Sequence, residues 1–286
     1  MQNYFTMPNK YLFYFLCFVA LMFFNSCGED VSLNSPNVLV VIIKADDLGD
    51  TTPNWNRFIR MVSDNGICAG IGVISKFVTT EGSISEIQRL SALKQSNNFP
   101  TIEFWNHGYD HSKVNDYTEF YKTSYEYQLN HIHMAQNFFT SRLHLTSNSF
   151  GAPFNRTSTE TASALNDFPE INVWQYYEKI EKQYQKEWKD PNQRVINEID
   201  QHIILNVDYL FLHNFPSEKV THNYNHDKNK PYILVQIHPA YWDEKSFNKF
   251  EQFIHFYRNT NRAVFMTPYQ YYLYLHMREP LAPKGE

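Results

Sequence analysis

Val38-Leu39-Val40-Val41-Ile42-Ile43-Lys44-Ala45-Asp46-Asp47-Leu48-Gly49 sets six apolar residues directly against a polar tip. An unbroken apolar run without alternation is the pattern of a strand buried on both faces, as parallel sheets require. Trp55, Phe58, Ile59 and Val62 follow at helical spacing, and Gly66 closes that helix. The pair of elements therefore reads as the first β/α unit of a parallel sheet.

The rest of the chain repeats the pattern. Ile67 to Ile74 is a second strand, and Ser83 with Glu86 has the capping-box spacing of a helix running to about Ser96. Thr101 to Trp105 is a third strand. Asp116 with Glu119 predicts a long helix through about Arg142. Asn148 to Ala152 reads as a short strand, Thr157 with Glu160 as another helix start, and Ile171 to Tyr177 as a strand. Residues 178–194 are charged and without clean period, and read as a surface insertion. Leu210 to His213, Tyr232 to His238 and Ala263 to Met266 are the remaining strands. Phe247, Phe250, Phe253, Ile254 and Tyr257 mark a helix between the last two, and Thr267-Pro268 caps a final one. Seven or eight strands alternating with helices imply an α/β fold with a closed or nearly closed barrel, a (β/α)7-8 arrangement.

The totals fit one domain over residues 38–286. The 286 residues carry a formal net charge of −5, so the basic footprint of a nucleic-acid binder is missing. Twenty Tyr, 23 Phe and 5 Trp leave some aromatics for lining a cleft as well as a core. At the N-terminus, Lys10 precedes an apolar stretch from Tyr11 to Phe24, the length of a signal-peptide core and short for a membrane span. Phe24-Asn25-Ser26-Cys27-Gly28 then resembles a bacterial lipoprotein box. It implies a signal peptide over residues 1–26, lipidation of Cys27 and a tether over residues 27–37. The expected location is the periplasmic side of the envelope or the cell surface, on a lipid anchor in a bacterial membrane; an ordinary signal peptide or an uncleaved anchor also fits. Cys68 is then the one thiol of the mature domain, which excludes an internal disulfide and a cysteine-based zinc site.

In a β/α barrel, chemistry gathers where strands end. Asp46 and Asp47 follow the first strand, His107 the third, His213 and Asn214 the strand at Leu210, and His238 the strand at Tyr232. Each piece has a plain reading. An Asp-Asp before Gly makes a solvated turn, and histidines such as His131 and His133 lie mid-helix without a nameable partner. Together, Asp47, His107 and His111 make a two-imidazole, one-carboxylate set suited to Zn²⁺ or a related divalent ion.

Lys44-Ala45-Asp46-Asp47-Leu48-Gly49 resembles the Asp-Asp signature of the polysaccharide deacetylases, carbohydrate esterase family 4 and its relatives. His107-Gly108-Tyr109-Asp110-His111-Ser112 resembles their His-x-x-x-His motif, Gly151-Ala152-Pro153-Phe154 their Arg-x-Pro-aromatic segment, and Ile237-His238-Pro239 their C-terminal strand-end histidine. The resemblance spans roughly Val38 to Tyr272. It implies a distorted barrel of the glycoside hydrolase/deacetylase type and removal of acetyl groups from an N- or O-acetylated oligo- or polysaccharide, using a divalent metal. It makes Asp47, His107 and His111 the metal ligands, Asp46 the general base, His238 the general acid and the Phe154 N–H, beside Pro153, an oxyanion donor. Trp105, Tyr109, Tyr241 and Trp242 are candidates for a sugar-stacking wall or for rim packing, and His213 for substrate contact or support. Two departures stand out. Gly151 replaces an Arg that orients the catalytic Asp, leaving Arg156 as a substitute, and Lys44-Ala45 replaces Thr-Phe. The alternatives are therefore a glycan-binding lipoprotein without turnover and another carbon–nitrogen hydrolase acting on a small cyclic amide.

Overall fold

The computed structural model describes residues 38–94, 100–176, 186–189, 195–260 and 262–276. Residues 1–37, where a signal peptide, a lipidated Cys27 and a tether are expected, lie outside the described residues. Among those described, no helix is long and apolar enough to cross a membrane.

The strands are β1 (Leu39–Leu48), β2 (Ala69–Val73), β3 (Ile102–Asn106), β4 (Lys113–Val114), β5 (Tyr117–Thr118), β6 (Ser149–Phe150) and β7 (Val173–Tyr176), then β8 (Lys186–Lys189), β9 (Val195–Ile199), β10 (His202–Asn206), β11 (Tyr209–Phe211), β12 (Tyr232–Ile237) and β13 (Ala263–Met266). The α-helices are α1 (Pro53–Asp64), α2 (Glu81–Ser91), α3 (Tyr125–Phe138), α4 (Thr159–Leu165), α5 (Ser217–His222), α6 (Tyr224–Asp227), α7 (Glu244–Arg258) and α8 (Pro268–His276).

Eight strands form a curled parallel run in the order β11-β12-β1-β2-β3-β6-β7-β10, and β13 joins beside the start of β1. Beyond β10 the sheet continues antiparallel through β9 and β8. No ladder between β11 and that far edge closes the barrel among the described residues. The architecture is thus the expected α/β barrel type, opened on one side.

Alternation along β1 sets what faces inward. Leu39, Val41 and Ile43 join the layer packed by α1 and α7, with Phe58 and Phe250. Val38, Val40 and Ile42 face the other cluster with Val173, Leu205, Leu234 and Tyr271, which floors the barrel. A strand's period of two carries the inward series on to Lys44 and Asp46. On β12, Leu234 belongs to the same cluster and Gln236 and His238 continue it. Charged and polar residues therefore rise from an apolar floor toward the mouth.

Helix starts follow local chemistry. Thr52 caps α1 by accepting the Trp55 N–H, with Pro53 in the first turn, and Trp55, Phe58, Ile59 and Val62 are its buried stripe. Thr267 and Pro268 open α8 as expected. Two helix starts are corrected, and one stretch shows a strand. The helix read from Asp116 starts at Tyr125, capped by Ser124, because Lys113–Val114 and Tyr117–Thr118 pair as a hairpin and Glu119 turns inward. Thr80 rather than Ser83 caps α2. Lys186–Lys189, inside the stretch read as an insertion, is a strand paired with Val195–Ile199; the remainder of 178–194 lies outside the described residues.

Candidate metal centre and its surroundings

Asp47, His107 and His111 converge. His107 Nε2 and His111 Nε2 each lie 3.1 Å from Asp47 Oδ1. Asp47 holds a left-handed φ of 72° at the tip of β1, and His111 one of 53°. Such conformations cost about 1–3 kcal/mol each and persist where surrounding contacts enforce them.

The turn between the two histidines is built for this. Gly108 has φ 80°, and a Cβ there would lie 2.7 Å from Glu119 Oε2. The buried Glu119 carboxylate accepts the N–H groups of Tyr109 at 2.6 Å and His111 at 2.7 Å, and His131 Nδ1 sits 2.9 Å away. His131, which has no partner visible in the sequence, thus helps hold the His107–His111 turn.

His107 Nδ1 donates to the carbonyl of Gly151 at 2.7 Å. A carbonyl can only accept, so in the neutral ring Nε2 carries the lone pair. That lone pair points at a carboxylate oxygen, which repels unless a cation lies between them. A metal ion is the fitting cation. Ligand bonds of about 2.1 Å in a tetrahedral site space their donors by about 3.4 Å, close to the separations found. Burial by itself raises the Asp47 carboxyl; with no ion between them, protonated His107 and His111 would donate to it, outweigh that burial and hold the group well below the ordinary carboxylate range.

A second group, Asp110, Glu119 and His131, also brings three ligand atoms together. Here each Glu119 oxygen accepts a backbone N–H, and Lys76 Nζ stands 3.5 Å from Asp110 Oδ2. In this structure that set supports the turn.

Asp46 is buried beside the first group, with Oδ2 3.8 Å from His107 Nε2. Oδ2 accepts from Lys44 Nζ and, at 2.7 Å, from Gln236 Nε2. Oδ1 is buried without a hydrogen-bond partner among the described residues. Burial pulls the Lys44 ammonium down while Asp46 opposes that shift. His238 Nδ1 donates to the Phe211 carbonyl at 3.0 Å, leaving Nε2 directed toward the site, 3.8 Å from Asp47 Oδ2. Phe154 has φ 61° and stands 4.3 Å, ring to ring, from His111; Pro153 before it is buried.

The aromatic wall divides. Trp105 is fully buried, its indole filling the space left by Gly70, Gly72 and Gly151 beneath Lys44 and edge-on to His107. Trp242 is 4% exposed and packed among Phe58, Phe215, Phe247 and Phe250. Both are core, correcting the expectation that they face substrate. Tyr109 is half-buried against His131. His213 and Tyr241 are exposed and pack edge to face at 5.5 Å, next to His238 in the chain fold. Arg156 does not reach Asp46: it pairs with Asp116 at 2.9 Å and covers Tyr121. Sequence reasoning missed Gln236, Asn155, Glu119 and His131 as parts of the site.

No protein-family model matches the sequence, and no curated protein does. Solved structures do match in fold. A Mycobacterium smegmatis protein assigned as a polysaccharide deacetylase superposes with a TM-score of 0.60 at 11% identity, over 89% of this chain and 98% of that one. A family 4 acetyl xylan esterase from Clostridium thermocellum, in complex with a cobalt ion, gives 0.53 at 12% identity, over 82% and 90%. A Bacillus anthracis protein described as a CE4 family pseudoenzyme gives 0.50 at 11% identity, over 81% and 65%. This chain therefore has the polysaccharide-deacetylase fold, which by itself does not decide turnover.

Proposed function

We propose that this protein is a metal-dependent hydrolase that removes acetyl groups from an N- or O-acetylated glycan outside the cytoplasm. The observation that carries the reading is the convergence of His107 and His111 on Asp47 Oδ1, with His107 Nδ1 already committed to Gly151. A divalent ion held there, zinc in our reading, supplies Lewis acidity and lowers the pKa of water at neutral pH.

The chain's own groups divide the remaining work. Asp46 Oδ1, buried and unpartnered, is the base that takes a proton from the attacking water. His238, oriented by Phe211, would in its doubly protonated form give the Nε2 proton to the leaving amine or alcohol and keep the Nδ1 proton on the Phe211 carbonyl. The Phe154 N–H, turned by its left-handed backbone, stabilises the developing oxyanion. The exposed His213–Tyr241 pair offers a face for a sugar ring. We place the domain on a lipid anchor at Cys27; palmitate labelling that persists in Cys27→Ala would remove that part.

The test is metal analysis of the purified protein together with acetate release from acetylated chito- and xylo-oligosaccharides, and amide cleavage in small cyclic amides. Wild type is expected to hold about one ion and release acetate. Asp46→Asn is expected to keep the ion and lose turnover. Wild type without an ion in zinc-containing buffer would sink the proposal, and cleavage confined to the cyclic amides would replace its substrate.

A further inference from the structure

Lys44 is fully buried, at the inward-facing position between Ile42 and Asp46. A lysine is placed there at high desolvation cost, and its partners account for it. Nζ donates to Asp46 Oδ2 and lies 3.5 Å from Asn155 Oδ1. Asn155 Nδ2 donates to Gln236 Oε1 at 2.7 Å, and Gln236 Nε2 returns to Asp46 Oδ2 at 2.7 Å. Lys44 and Gln236 are direct partners in the β1–β12 register. The four buried side chains close a ring on one oxygen of Asp46.

Space links this ring to position 151. A Cβ on Gly151 would lie 3.3 Å from Lys44 Cε and 2.9 Å from Trp105 Cζ3. A long side chain at 151 and the lysine at 44 would therefore compete for the same volume. We propose that Lys44 is the positioning residue for Asp46, a cation supplied from the first strand to the place where the resembled pattern draws an arginine from the Gly151 segment. The inference rests on the proposed metal-dependent function.

The ring does more than neutralise a charge. A carboxylate kept only for packing would have both oxygens paired. Here both donors take Oδ2 and leave Oδ1 open. With Oδ2 only 3.8 Å from His107 Nε2, a released Asp46 would be near enough to swing onto the ion. Lys44 and Gln236 hold it back, so that it serves as a base instead of being consumed as a further ligand.

The test uses cobalt as the probe, because Co²⁺ visible absorption reports ligand number and geometry. Spectra are recorded for cobalt-loaded wild type, Lys44→Met, Asp46→Asn and the double variant Lys44→Met/Asp46→Asn. Lys44→Met is expected to change the spectrum, Asp46→Asn alone to leave it near wild type, and the double variant to revert to it. Acetate release should fall about 100-fold or more in Lys44→Met through kcat, with KM little changed, and Lys44→Arg should recover part of it. Should Lys44→Met not fold, Lys44→Gln removes the same cation while keeping a polar side chain and is expected to shift the cobalt spectrum likewise. Wild type that takes up no cobalt overturns the metal reading beneath the inference. Wild-type uptake with unchanged spectra in the folded Lys44→Met or Lys44→Gln protein overturns the role of Lys44 alone.

Discussion

Glu119 Oε1 lies 2.9 Å from His131 Nδ1, directly behind the turn that carries His107 and His111. The carboxylate also gathers the Tyr109 and His111 N–H groups, so it fixes the loop by backbone as well as by side chain. Outer partners of this kind commonly tune metal affinity 10- to 100-fold. Glu119→Gln keeps the shape but turns one acceptor oxygen into a donor facing backbone N–H groups. Zinc affinity, measured by competition with a chromophoric chelator, should fall about 10- to 100-fold. Unchanged affinity would make the Glu119–His131 pair a packing device only.

A bound ion should register as stability. A ligand at a hundredfold its dissociation constant adds about 2.7 kcal/mol, or about 5–10 °C for a domain of this size. Zinc is therefore expected to raise the melting temperature of the wild type by that amount, and His107→Ala should lose most of the increase. An equal zinc shift in both proteins would place the ion elsewhere.

The candidate site residues were legible because each is a polar residue at the end of an apolar run: Asp47 near the end of β1, His107 after β3, His238 after β12. Lys44 and Gln236 carried a fainter signal of the same kind. Each interrupts an apolar strand two residues before a catalytic candidate, hence on the same face. Their partnership emerges only when β1 and β12 are set in register. The Asp116–Glu119 spacing imitates a capping box, yet Glu119 is drawn to the N–H groups of another turn and Ser124 caps the helix instead. Trp105 and Trp242 misled because adjacency to a motif says nothing about burial, and tertiary packing decided both.

His202 gives the fold a pH dependence apart from the metal centre. Burial pushes its imidazole below the ordinary value, the Ile171 carbonyl at 2.7 Å only partly offsetting this. Nε2 is buried without a partner among the described residues. The folded protein therefore binds this proton less readily than the unfolded chain. Stability is full above about pH 6.5, the unfolded value, and falls as pH drops toward the folded one, by up to about 1.4 kcal/mol per pH unit. Melting curves in chelator from pH 7.5 to 5 should show this decline, flattened in His202→Gln. Parallel curves for the two proteins would contradict it.

Gly72 tests how tightly Trp105 is wedged beneath the site. A Cβ there would come within 2.4 Å of Trp105 Cη2, and the indole has no free end to swing. Gly72→Ala should cost about 1–3 kcal/mol by overpacking and, by tilting the ring that packs edge-on to His107, weaken zinc binding as well. Gly82, within α2, has nothing within 4 Å of its added Cβ. Gly82→Ala should stabilise by about 0.5–1 kcal/mol. Urea unfolding of both variants checks the contrast, and a neutral Gly72→Ala would show that the barrel floor yields.

Tyr241 and Trp242 are neighbours in sequence with opposite surroundings, which makes them a clean pair for locating the substrate face. Trp242 sits in the Phe58–Phe215–Phe250 cluster, so Trp242→Ala opens a cavity and should cost about 3–5 kcal/mol. Tyr241 is 57% exposed, and its ring meets His213 at the mouth. Tyr241→Ala should change stability by no more than about 0.5 kcal/mol. If a sugar ring stacks on it, the lost aromatic contact of about 0.5–1.5 kcal/mol raises KM for an acetylated oligosaccharide about 2- to 10-fold, leaving kcat near wild type. Melting temperatures and steady-state kinetics on the two variants separate the roles. An unchanged KM in Tyr241→Ala would move the sugar-binding face away from the His213 side, toward the exposed Phe154 beside His111.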